Sequence, residues 1–294
     1  LGITAAYALA MAARKILKEG ETQFLELLRE AAGEIKMARV TAVNAAWAVD
    51  HLCLLAEGIE DPRNATSALL CEAKAMQKAD IQANKLMGLH GSTLLGNCDG
   101  ILTHCNTGAL ATAGYGTALG VIRAAWEQGL RFKVFHTETR PFLQGSRLTA
   151  WELVKLGIPS TLLVDSAAGT FIRDKIVQCV IVGADRIASN GDTANKIGTY
   201  SLAVLAKENG IPFYVAAPTS TVDLGVMKGS QIPIEERHPD EVACMGDRRV
   251  AANGIEIRNP SFDITPHRYI SAIITEKGIV NKPYKMNLSK VLNN

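Results

Sequence analysis

The sequence lacks the features that mark membrane, secreted and nucleic-acid-binding proteins. It has no apolar run of about 18 residues, the length a membrane-spanning helix needs, and no leader of the signal-peptide type. Its six cysteines are scattered, without a Cys-x-x-Cys pair. Lysine and arginine total 31 against 29 acidic residues, and no long basic run occurs. We therefore expect a cytoplasmic protein of a reducing compartment that binds neither membrane nor nucleic acid.

Cofactor motifs are also missing. There is no Walker lysine motif, and no Gly-x-Gly-x-x-Gly follows the first predicted α/β strand, because Gly114-Tyr115-Gly116 has the wrong spacing. No histidines, cysteines or carboxylates recur at the spacing of metal ligands. The sequence therefore predicts no nucleotide cofactor and no bound metal.

The first third of the chain reads as helices. With 294 residues, 48% of them hydrophobic, the chain can bury a large core in one or two domains. Because Leu1 to Thr4 already lie inside an alanine-rich helical pattern, we expect a native segment to precede Leu1. The predicted helices are Ile3–Lys18, Phe24–Ile35, Val43–Ala56 and a long one over Ala65–Leu95.

From Asp99 onward, short apolar runs alternate with helical segments. Such alternation predicts a parallel sheet with right-handed crossovers. We therefore predict an α/β protein in which an N-terminal helical domain (1–96) is followed by a Rossmann-like domain (97–294) with helices on both faces of its sheet. The predicted strands are Gly100–Thr103, Lys133–His136, Ser160–Val164, Val177–Val182 and Phe213–Ala216; the predicted helices are Ala113–Gln128, Ser146–Lys155, Ala168–Asp174 and Asn195–Asn209.

Polar residues follow all five predicted strands. In parallel sheets the ligand crevice lies at the carboxyl ends of the strands, so these groups are expected to converge. Loops are commonly polar, which suffices to explain Thr219 and Ser220. The groups are His104-Cys105-Asn106, Thr137 to Arg140, Asp165-Ser166, Gly183 to Arg186 and Ala217 to Ser220.

Cys105 follows the run Ile101-Leu102-Thr103 and precedes small residues that let the chain turn into a helix. A helix N-terminus there would hold a phosphate and lower the pKa of the thiol. The alternative is a small buried core residue, the usual fate of an isolated cysteine.

Asp185 and Lys196 are the next candidates. Asp185 ends an apolar run, so burial would raise its pKa and suit it to act as a general acid; otherwise it caps a turn or pairs with Arg186. Lys196 is predicted in the first turn of a helix, where it opposes the helix dipole and is better explained by a bound anion than by stability; the alternative is a solvated lysine. Arg140 binds phosphate or pairs with Glu138.

These segments resemble the methylthioribose-1-phosphate isomerase family of methionine salvage, which is related to the alpha, beta and delta regulatory subunits of the guanine-nucleotide exchange factor for translation initiation. The resemblance covers essentially the whole chain. It is carried by Thr103 to Gly108, Glu138 to Pro141 with Gln144-Gly145, Gly183 to Ile187, Asn195 to Tyr200, Ala217 to Thr221 and Ile232 to Arg237.

The resemblance implies catalytic roles for Cys105 and Asp185. It implies substrate binding by Arg39, Gln144 and the Asn195-Lys196 pair, although Val40 stands where the family usually has proline. The family's Arg-Gly-Ala-Pro phosphate-binding segment is expected just before Leu1. A homodimer without cofactor is also implied.

The family's substrate is an aldose whose anomeric oxygen carries phosphate, which blocks free opening to an aldehyde. A protonated Asp185 would assist ring opening. Cys105 would then act as base in an enol-phosphate route or stabilise charge in a hydride shift. The alternatives are a ribose-1,5-bisphosphate isomerase, whose second phosphate calls for an additional cation, and a non-catalytic regulatory subunit that binds a translation initiation factor.

Overall fold

The structure is a computed structural model that describes residues 1–20 and 23–293. Its helices are α1 (Gly2–Glu19), α2 (Phe24–Met37), α3 (Val43–Glu57), α4 (Pro62–Ser92), α5 (Ala118–Glu127), α6 (Ala150–Lys155), α7 (Ala168–Arg173), α8 (Thr199–Glu208), α9 (Asp240–Ala243) and α10 (Tyr284–Asn293). Its strands are β1 (Gly100–Thr103), β2 (Lys133–Thr137), β3 (Ser160–Leu163), β4 (Cys179–Val182), β5 (Arg186–Ala188), β6 (Thr193–Lys196), β7 (Phe213–Ala216), β8 (Val222–Asp223), β9 (Cys244–Met245), β10 (Arg248–Arg249), β11 (Phe262–Thr265), β12 (Ala272–Thr275) and β13 (Gly278–Val280).

Helices α1 to α4 form the amino-terminal region around an alanine- and leucine-rich core. Alanines at buried positions let the helix axes approach closely, while leucines fill the space between them. α1 ends at Gly20, whose φ of 70° suits glycine, and α4 begins with Asp61, whose carboxylate accepts from the Arg63 N–H. Each boundary therefore has a local chemical cause.

A seven-stranded sheet follows, in the order β13-β12-β7-β4-β1-β2-β3. All neighbouring pairs are parallel except β12 with β13. Residues of α4 and α5 pack on one face, and residues of α7, α8 and α10 on the other. A Rossmann-like sheet with helices on both faces is therefore confirmed.

The predicted elements agree with the structure where the pattern is local. β1 and β7 have the predicted bounds, and the other three predicted strands differ from the observed ones by one or two residues at an end. Of the predicted helices, Val43–Ala56 and Ala168–Asp174 differ least, each by one residue at its end, and the long helix predicted over Ala65–Leu95 lies three residues earlier, at Pro62–Ser92.

Three helix predictions need correction. The helix predicted over Ala113–Gln128 begins only at Ala118, and the one predicted from Ser146 opens with a π-helical turn, Gly145–Thr149, before α6. The third, Asn195–Asn209, is wrong at its start, because Thr193–Lys196 is a strand and α8 begins at Thr199.

The last error arises from a second sheet that the sequence did not predict. It has the strand order β11-β6-β5-β8, and β6 pairs antiparallel with β11, about seventy residues further along the chain. Pairing at that separation decides the structure of Asn195 and Lys196, whose local sequence is compatible with a helix start.

The helical region and the sheet share one element. The first half of α4 contributes Leu69 and Ala73 to the helical core, whereas Met87 near its end packs into the core of the sheet. The division into domains 1–96 and 97–294 stays a prediction. Of the helices in the described part of the chain, none combines the length and apolarity that a membrane crossing requires.

Candidate active site

A cavity of about 670 Å³ lies at the carboxyl ends of the central strands. Residues that follow β1, β2, β4 and β7 line it, together with residues from the helical region and from β6 and β11. All six predicted site residues are among them: Arg39, Cys105, Gln144, Asp185, Asn195 and Lys196. The expected convergence therefore holds for the groups after β1, β4 and β7. After β2 the cavity is lined by Pro141, Phe142 and Gln144 and not by Thr137 to Arg140, and Asp165 and Ser166 after β3 do not line it.

Cys105 lies in the first turn after β1. Its backbone has a φ of 66°, an unusual value for a residue with a side chain. Its N–H donates to Thr139 Oγ1 at 2.9 Å, and its carbonyl oxygen accepts from Thr149 Oγ1 at 2.6 Å. Both ends of this peptide segment are fixed by residues of or after the neighbouring strand, so the direction of the thiol is set by the fold.

The expectation of a low thiol pKa is wrong. Burial raises the pKa of Cys105 to about 11, against smaller opposing effects of the Lys196 charge and the Asn106 N–H. The chain after Cys105 does not enter a long helix, since only a short 3₁₀ turn, Ala109–Ala111, precedes α5. The helix N-terminus that would have stabilised a thiolate is absent from the position after Cys105.

Asp185 follows β4, as predicted. Its N–H donates to the Ala194 carbonyl at 2.9 Å, and its carbonyl accepts from the Val43 N–H at 3.2 Å, which ties it to β6 and to the start of α3. Its carboxyl makes no hydrogen bond or ion pair within the described residues. Burial raises the pKa of Asp185 to about 6, even though Lys196 and Arg39 lower it. The carboxyl is therefore poised to bind a proton.

The pairing of Asp185 with Arg186 does not occur. The Arg186 guanidinium donates to the carbonyls of Val40 and Thr41 at 2.9 and 3.0 Å and pairs with Asp223 at 3.2 Å. Arg186 thus fastens the segment between α2 and α3 to the sheet, while Asp185 stays available to the cavity.

Lys196 is the last residue of β6 and is 8% exposed. The register pairs it with Phe262 of β11, and its Nζ lies 4.4 Å from the centre of that ring. It makes no ion pair within the described residues, and burial lowers its pKa. A buried ammonium held by an aromatic ring alone has unused hydrogen-bond donors. The bound anion stays a prediction. The unused donors of the buried ammonium support it, whereas the helix start from which it was argued is a strand end.

Arg39 approaches the same ring from the segment after α2. Its guanidinium lies 5.7 Å from the Phe262 ring centre, and its Nε donates to Glu235 at 3.1 Å. Neighbouring Val40 supplies a carbonyl to Arg186 and is itself exposed, so its difference from the usual proline leaves Arg39 in the cavity.

Gln144 reaches the cavity from the turn after β2. A Cβ at the next residue, Gly145, would lie 1.7 Å from the Thr137 carbonyl oxygen, so only glycine lets the chain pass here. The Gln144 amide oxygen is buried without a hydrogen-bond partner. A buried acceptor without a donor is costly unless a ligand supplies the donor.

Asn195 precedes Lys196 and is 4% exposed. Its Nδ2 donates to Thr199 Oγ1 at 3.0 Å, at the start of α8. That contact fixes the orientation of the amide, so Asn195 lines the cavity in a defined pose.

Arg140 does not pair with Glu138, and it is not among the residues that line the cavity. Its guanidinium donates to the Val242 carbonyl at 3.1 Å and contacts Met245 Sδ at 3.6 Å. Asp165 accepts from the backbone N–H groups of Thr139 and Arg140, each at 2.7 Å. Arg140 and Asp165 therefore hold the turn that carries Gln144 and do not line the cavity.

The sequence did not predict Phe262 as a site residue, because no local motif indicates that β11 pairs with β6. The segment that contains Glu235 was used as a mark of resemblance, without a role. The sequence analysis explained Ser220 as an ordinary polar loop residue. In the structure Ser220 lines the cavity, and its hydroxyl oxygen accepts from Asn44 Nδ2 at 2.8 Å.

Fold and site together define a class: an α/β protein with a Rossmann-like sheet whose edge carries a proton-binding carboxyl, a thiol and a buried ammonium in one cavity. The initiation factor 2 subunit family model matches residues 1–282. The chain therefore belongs to this family.

Its similarity to particular members is high. It is 54% identical to a methylthioribose-1-phosphate isomerase of Acetivibrio thermocellus, over 99% of this chain and 85% of that protein. The structure of 5-methylthioribose 1-phosphate isomerase from Pyrococcus horikoshii OT3 superposes with a TM-score of 0.86 at 41% identity, over 99% of this chain and 82% of that one. The translation initiation factor eIF-2B subunit delta from A. fulgidus also superposes, with a TM-score of 0.83 at 41% identity, over 100% of this chain and 86% of that one.

Proposed function

We propose that this protein is an aldose–ketose isomerase that converts 5-methylthioribose 1-phosphate to 5-methylthioribulose 1-phosphate in methionine salvage. One observation carries the proposal: a single cavity holds the unpartnered carboxyl of Asp185, the thiol of Cys105 and the ammonium of Lys196. These groups suffice for proton transfer beside a bound phosphate. The names of the relatives, at up to 54% identity over nearly the whole chain, support the same reaction.

Lys196 and Arg39 bind the phosphate in this proposal. Both cations face Phe262, and Lys196 has no carboxylate within ion-pair distance among the described residues. Because its donors are desolvated, an arriving phosphate gains charge-assisted hydrogen bonds at little further cost. Gln144, with its buried unpartnered oxygen, and Asn195 would accept from sugar hydroxyls.

Asp185 acts as the general acid. Ring opening breaks the bond between C1 and the ring oxygen, and that oxygen needs a proton to leave as a hydroxyl. A carboxyl with a pKa of about 6 keeps a useful protonated fraction near neutral pH, and a bound phosphate dianion raises that fraction further. The carbocation left at C1 is stabilised by its remaining phosphate-bearing oxygen.

The raised pKa of Cys105 favours the hydride shift, in which the thiol stays protonated, over the enol-phosphate route, in which a thiolate acts as base. With its pKa raised to about 11, the thiol is neutral over the physiological range. In the hydride route the hydrogen at C2 moves with its electron pair to C1, the C2 hydroxyl proton returns to Asp185, and the ketone forms. The neutral thiol then supplies a water-free, polarisable wall beside C1 and C2.

A second phosphate is poorly accommodated. Besides Lys196 and Arg39, which bind the first phosphate in this proposal, the described residues give the cavity one further cationic side chain, Arg237. Arg237 is paired with Glu241 by bonds of 2.7 to 3.0 Å. This pair would have to break to bind a second phosphate, which supports the monophosphate substrate.

The test is turnover by the purified protein of both sugars in the presence of a chelator. We expect kcat/KM for methylthioribose 1-phosphate to exceed that for ribose 1,5-bisphosphate by at least about a hundredfold, the scale of an unpaired buried charge. Equal or reversed values overturn the substrate. If neither sugar gives a ketose and the protein binds a translation initiation factor stably, the isomerase proposal is overturned and a non-catalytic regulatory subunit takes its place.

Solvent deuterium separates the two routes. A proton removed from C2 by a base exchanges with D₂O, so the enol-phosphate route places deuterium at C1, whereas the hydride shift does not. We expect no deuterium at C1. The hydride route also needs only protonated Asp185, so kcat/KM falls above pH 6; the base route predicts a plateau there, since loss of the acid is offset by gain of the thiolate.

We also infer that the protein forms a cytoplasmic homodimer. Six free cysteines suit a reducing compartment. The edge strand β3 and adjacent α6 expose the apolar side chains of Leu162, Trp151 and Val154, a surface that a second copy would cover. Sedimentation at micromolar concentration should give a dimer, and a monomer would argue against it.

A further inference from the structure

His104 precedes Cys105, its ring contacts the residue that follows Lys196, and it has no role in the reaction described above. It follows β1 directly, is 2% exposed and uses both ring nitrogens. Its Nδ1 lies 2.5 Å from Thr137 Oγ1, and its Nε2 lies 2.8 Å from the carbonyl oxygen of Ile197. One buried ring therefore bridges the end of β2 to the residue that follows Lys196.

The direction of each hydrogen bond is fixed. The Ile197 carbonyl can only accept, so His104 Nε2 carries the hydrogen. Burial lowers the pKa of His104 and keeps the ring neutral, which leaves Nδ1 as an acceptor for the Thr137 hydroxyl. His104 thus has one donor and one acceptor, each with a single partner.

The acceptor side leads to Cys105. Thr137 Oγ1 lies 3.1 Å from Thr139 Oγ1, and Thr139 Oγ1 accepts the N–H of Cys105 at 2.9 Å. Because the Thr137 hydroxyl donates to His104, the hydrogen of the Thr139 hydroxyl goes to Thr137 Oγ1 at 3.1 Å or to the Thr137 carbonyl oxygen at 3.3 Å. In both arrangements Thr139 Oγ1 accepts the Cys105 N–H, and His104 holds the Thr137 end of this chain of contacts.

The donor side leads to Lys196. Ile197 separates Lys196 from Gly198, whose φ is 102° and at which an added Cβ would lie 3.2 Å from the His104 ring. The turn after Lys196 is thus packed against the ring as well as bonded to it. Movement of the ring would displace the strand end that carries the ammonium.

We propose that His104 is a positioning residue that fixes the thiol of Cys105 relative to the ammonium of Lys196 through its two separate hydrogen bonds. The proposal rests on the proposed function only for its kinetic readout. Two substitutions separate the bonds, because the side-chain amide of glutamine reaches the position of Nε2 and that of asparagine the position of Nδ1.

His104→Gln keeps the donor to Ile197 and loses the acceptor for Thr137. We expect kcat to fall by about tenfold or more, since misplacement of a reacting group is costly, with KM near wild type. The rate at which iodoacetamide alkylates Cys105 should rise by a similar factor. Mass spectrometry measures this rate, with the exposed Cys71 as internal reference.

His104→Asn keeps the acceptor and loses the donor. We expect KM, and the Kd of inorganic phosphate measured by calorimetry, to rise by about tenfold, the upper range for a lost neutral hydrogen bond. Cys105 alkylation should stay near wild type. His136→Gln and His136→Asn are matched controls: this histidine is also buried, and its Nδ1 has no partner.

A purely structural histidine gives another result. Both His104 variants would then lower the melting temperature and change kcat and KM in one common pattern, as the His136 variants do, and the proposal would be overturned. Unchanged kinetics and unchanged alkylation in both variants would overturn it as well. If the wild-type protein turns over neither sugar, the proposed function fails, while the split between alkylation and phosphate binding still decides the role of His104.

Discussion

The interactions that stabilise the helical region differ from those that stabilise the edge of the sheet at the cavity. In α1 to α3 the buried positions are apolar, as with Leu9 and Leu52, both without exposure. At the cavity the buried positions include Thr139, Asn195 and Lys196, which hydrogen-bond or stack with residues of other segments. Burial of apolar surface and close packing stabilise the helical region, whereas hydrogen bonds and cation–ring contacts stabilise the edge of the sheet. Substitutions in the helical region should therefore change the free energy of unfolding, and substitutions at the cavity should change kcat and KM.

The largest effect should come from the helical core. Leu52→Ala removes a fully buried side chain on α3, so we expect the free energy of unfolding to fall by about 2 to 5 kcal/mol. The exposed Leu54 on the same helix is the control, and Leu54→Ala should change stability by less than about 0.5 kcal/mol. Chemical denaturation measures both. The kcat per folded molecule should stay unchanged, and a large loss would show that the helical core controls the chemistry.

The reverse pattern is expected for the two reacting residues. Asp185→Asn removes the acid and should lower kcat by about a hundredfold or more, the scale of a positioned acid, while KM changes little. Cys105→Ser replaces the neutral thiol beside C1 and C2 by a more strongly hydrated hydroxyl, so kcat should fall by roughly tenfold or more with KM little changed. Stability should not fall, and Asp185→Asn should raise it because a buried ionisable group becomes neutral. Melting temperature and kcat on the same preparations decide the matter. A near-wild-type kcat with a lowered melting temperature would make these residues structural.

The same contrast explains what could be predicted from the sequence. Helix periodicity and apolar strands are local, so β1 and β7 were placed correctly, and the strand-end rule then put Cys105 and Asp185 in one cavity. Lys196 was placed in a helix because its strand depends on β11, which lies far along the chain. The high pKa of Cys105 depends on burial by many segments together, which no single motif encodes.

Lys196 gives a smaller and more specific effect on binding. Lys196→Met keeps the apolar stem against Phe262 and removes the charge, so we expect KM for the sugar phosphate to rise by roughly 10- to 100-fold, the scale of a hydrogen bond to a charged group. The exposed Lys155, whose Nζ lies 5.8 Å from the Trp151 ring centre, is the matched control. Lys155→Met should leave KM unchanged. A Lys196→Met enzyme with unaltered KM would exclude this ammonium from phosphate binding.

The smallest effect concerns the pH dependence of stability. The pKa of Asp185 is raised in the folded protein to about 6 from an ordinary value near 4, so the folded state binds this proton more tightly than the unfolded chain does. Its contribution to stability is therefore complete below about pH 4 and is lost as the pH rises through 6. Asp192, whose pKa is lowered to about 2, acts in the opposite sense and only below pH 4.

Comparison of Asp185→Asn with wild type isolates the contribution of the Asp185 carboxyl. Asp192 and Asp263, whose pKa is also raised to about 6, are present in both proteins, so their contributions cancel. Because Asp185 lines a cavity and is only partly buried, solvent screens part of the effect, and the stability of the variant relative to wild type should grow by about 1 kcal/mol between pH 4 and 7. Urea denaturation across that range measures it. A difference that stays constant would mean that Asp185 titrates as an ordinary exposed carboxylate, and the site would then lose its proton donor.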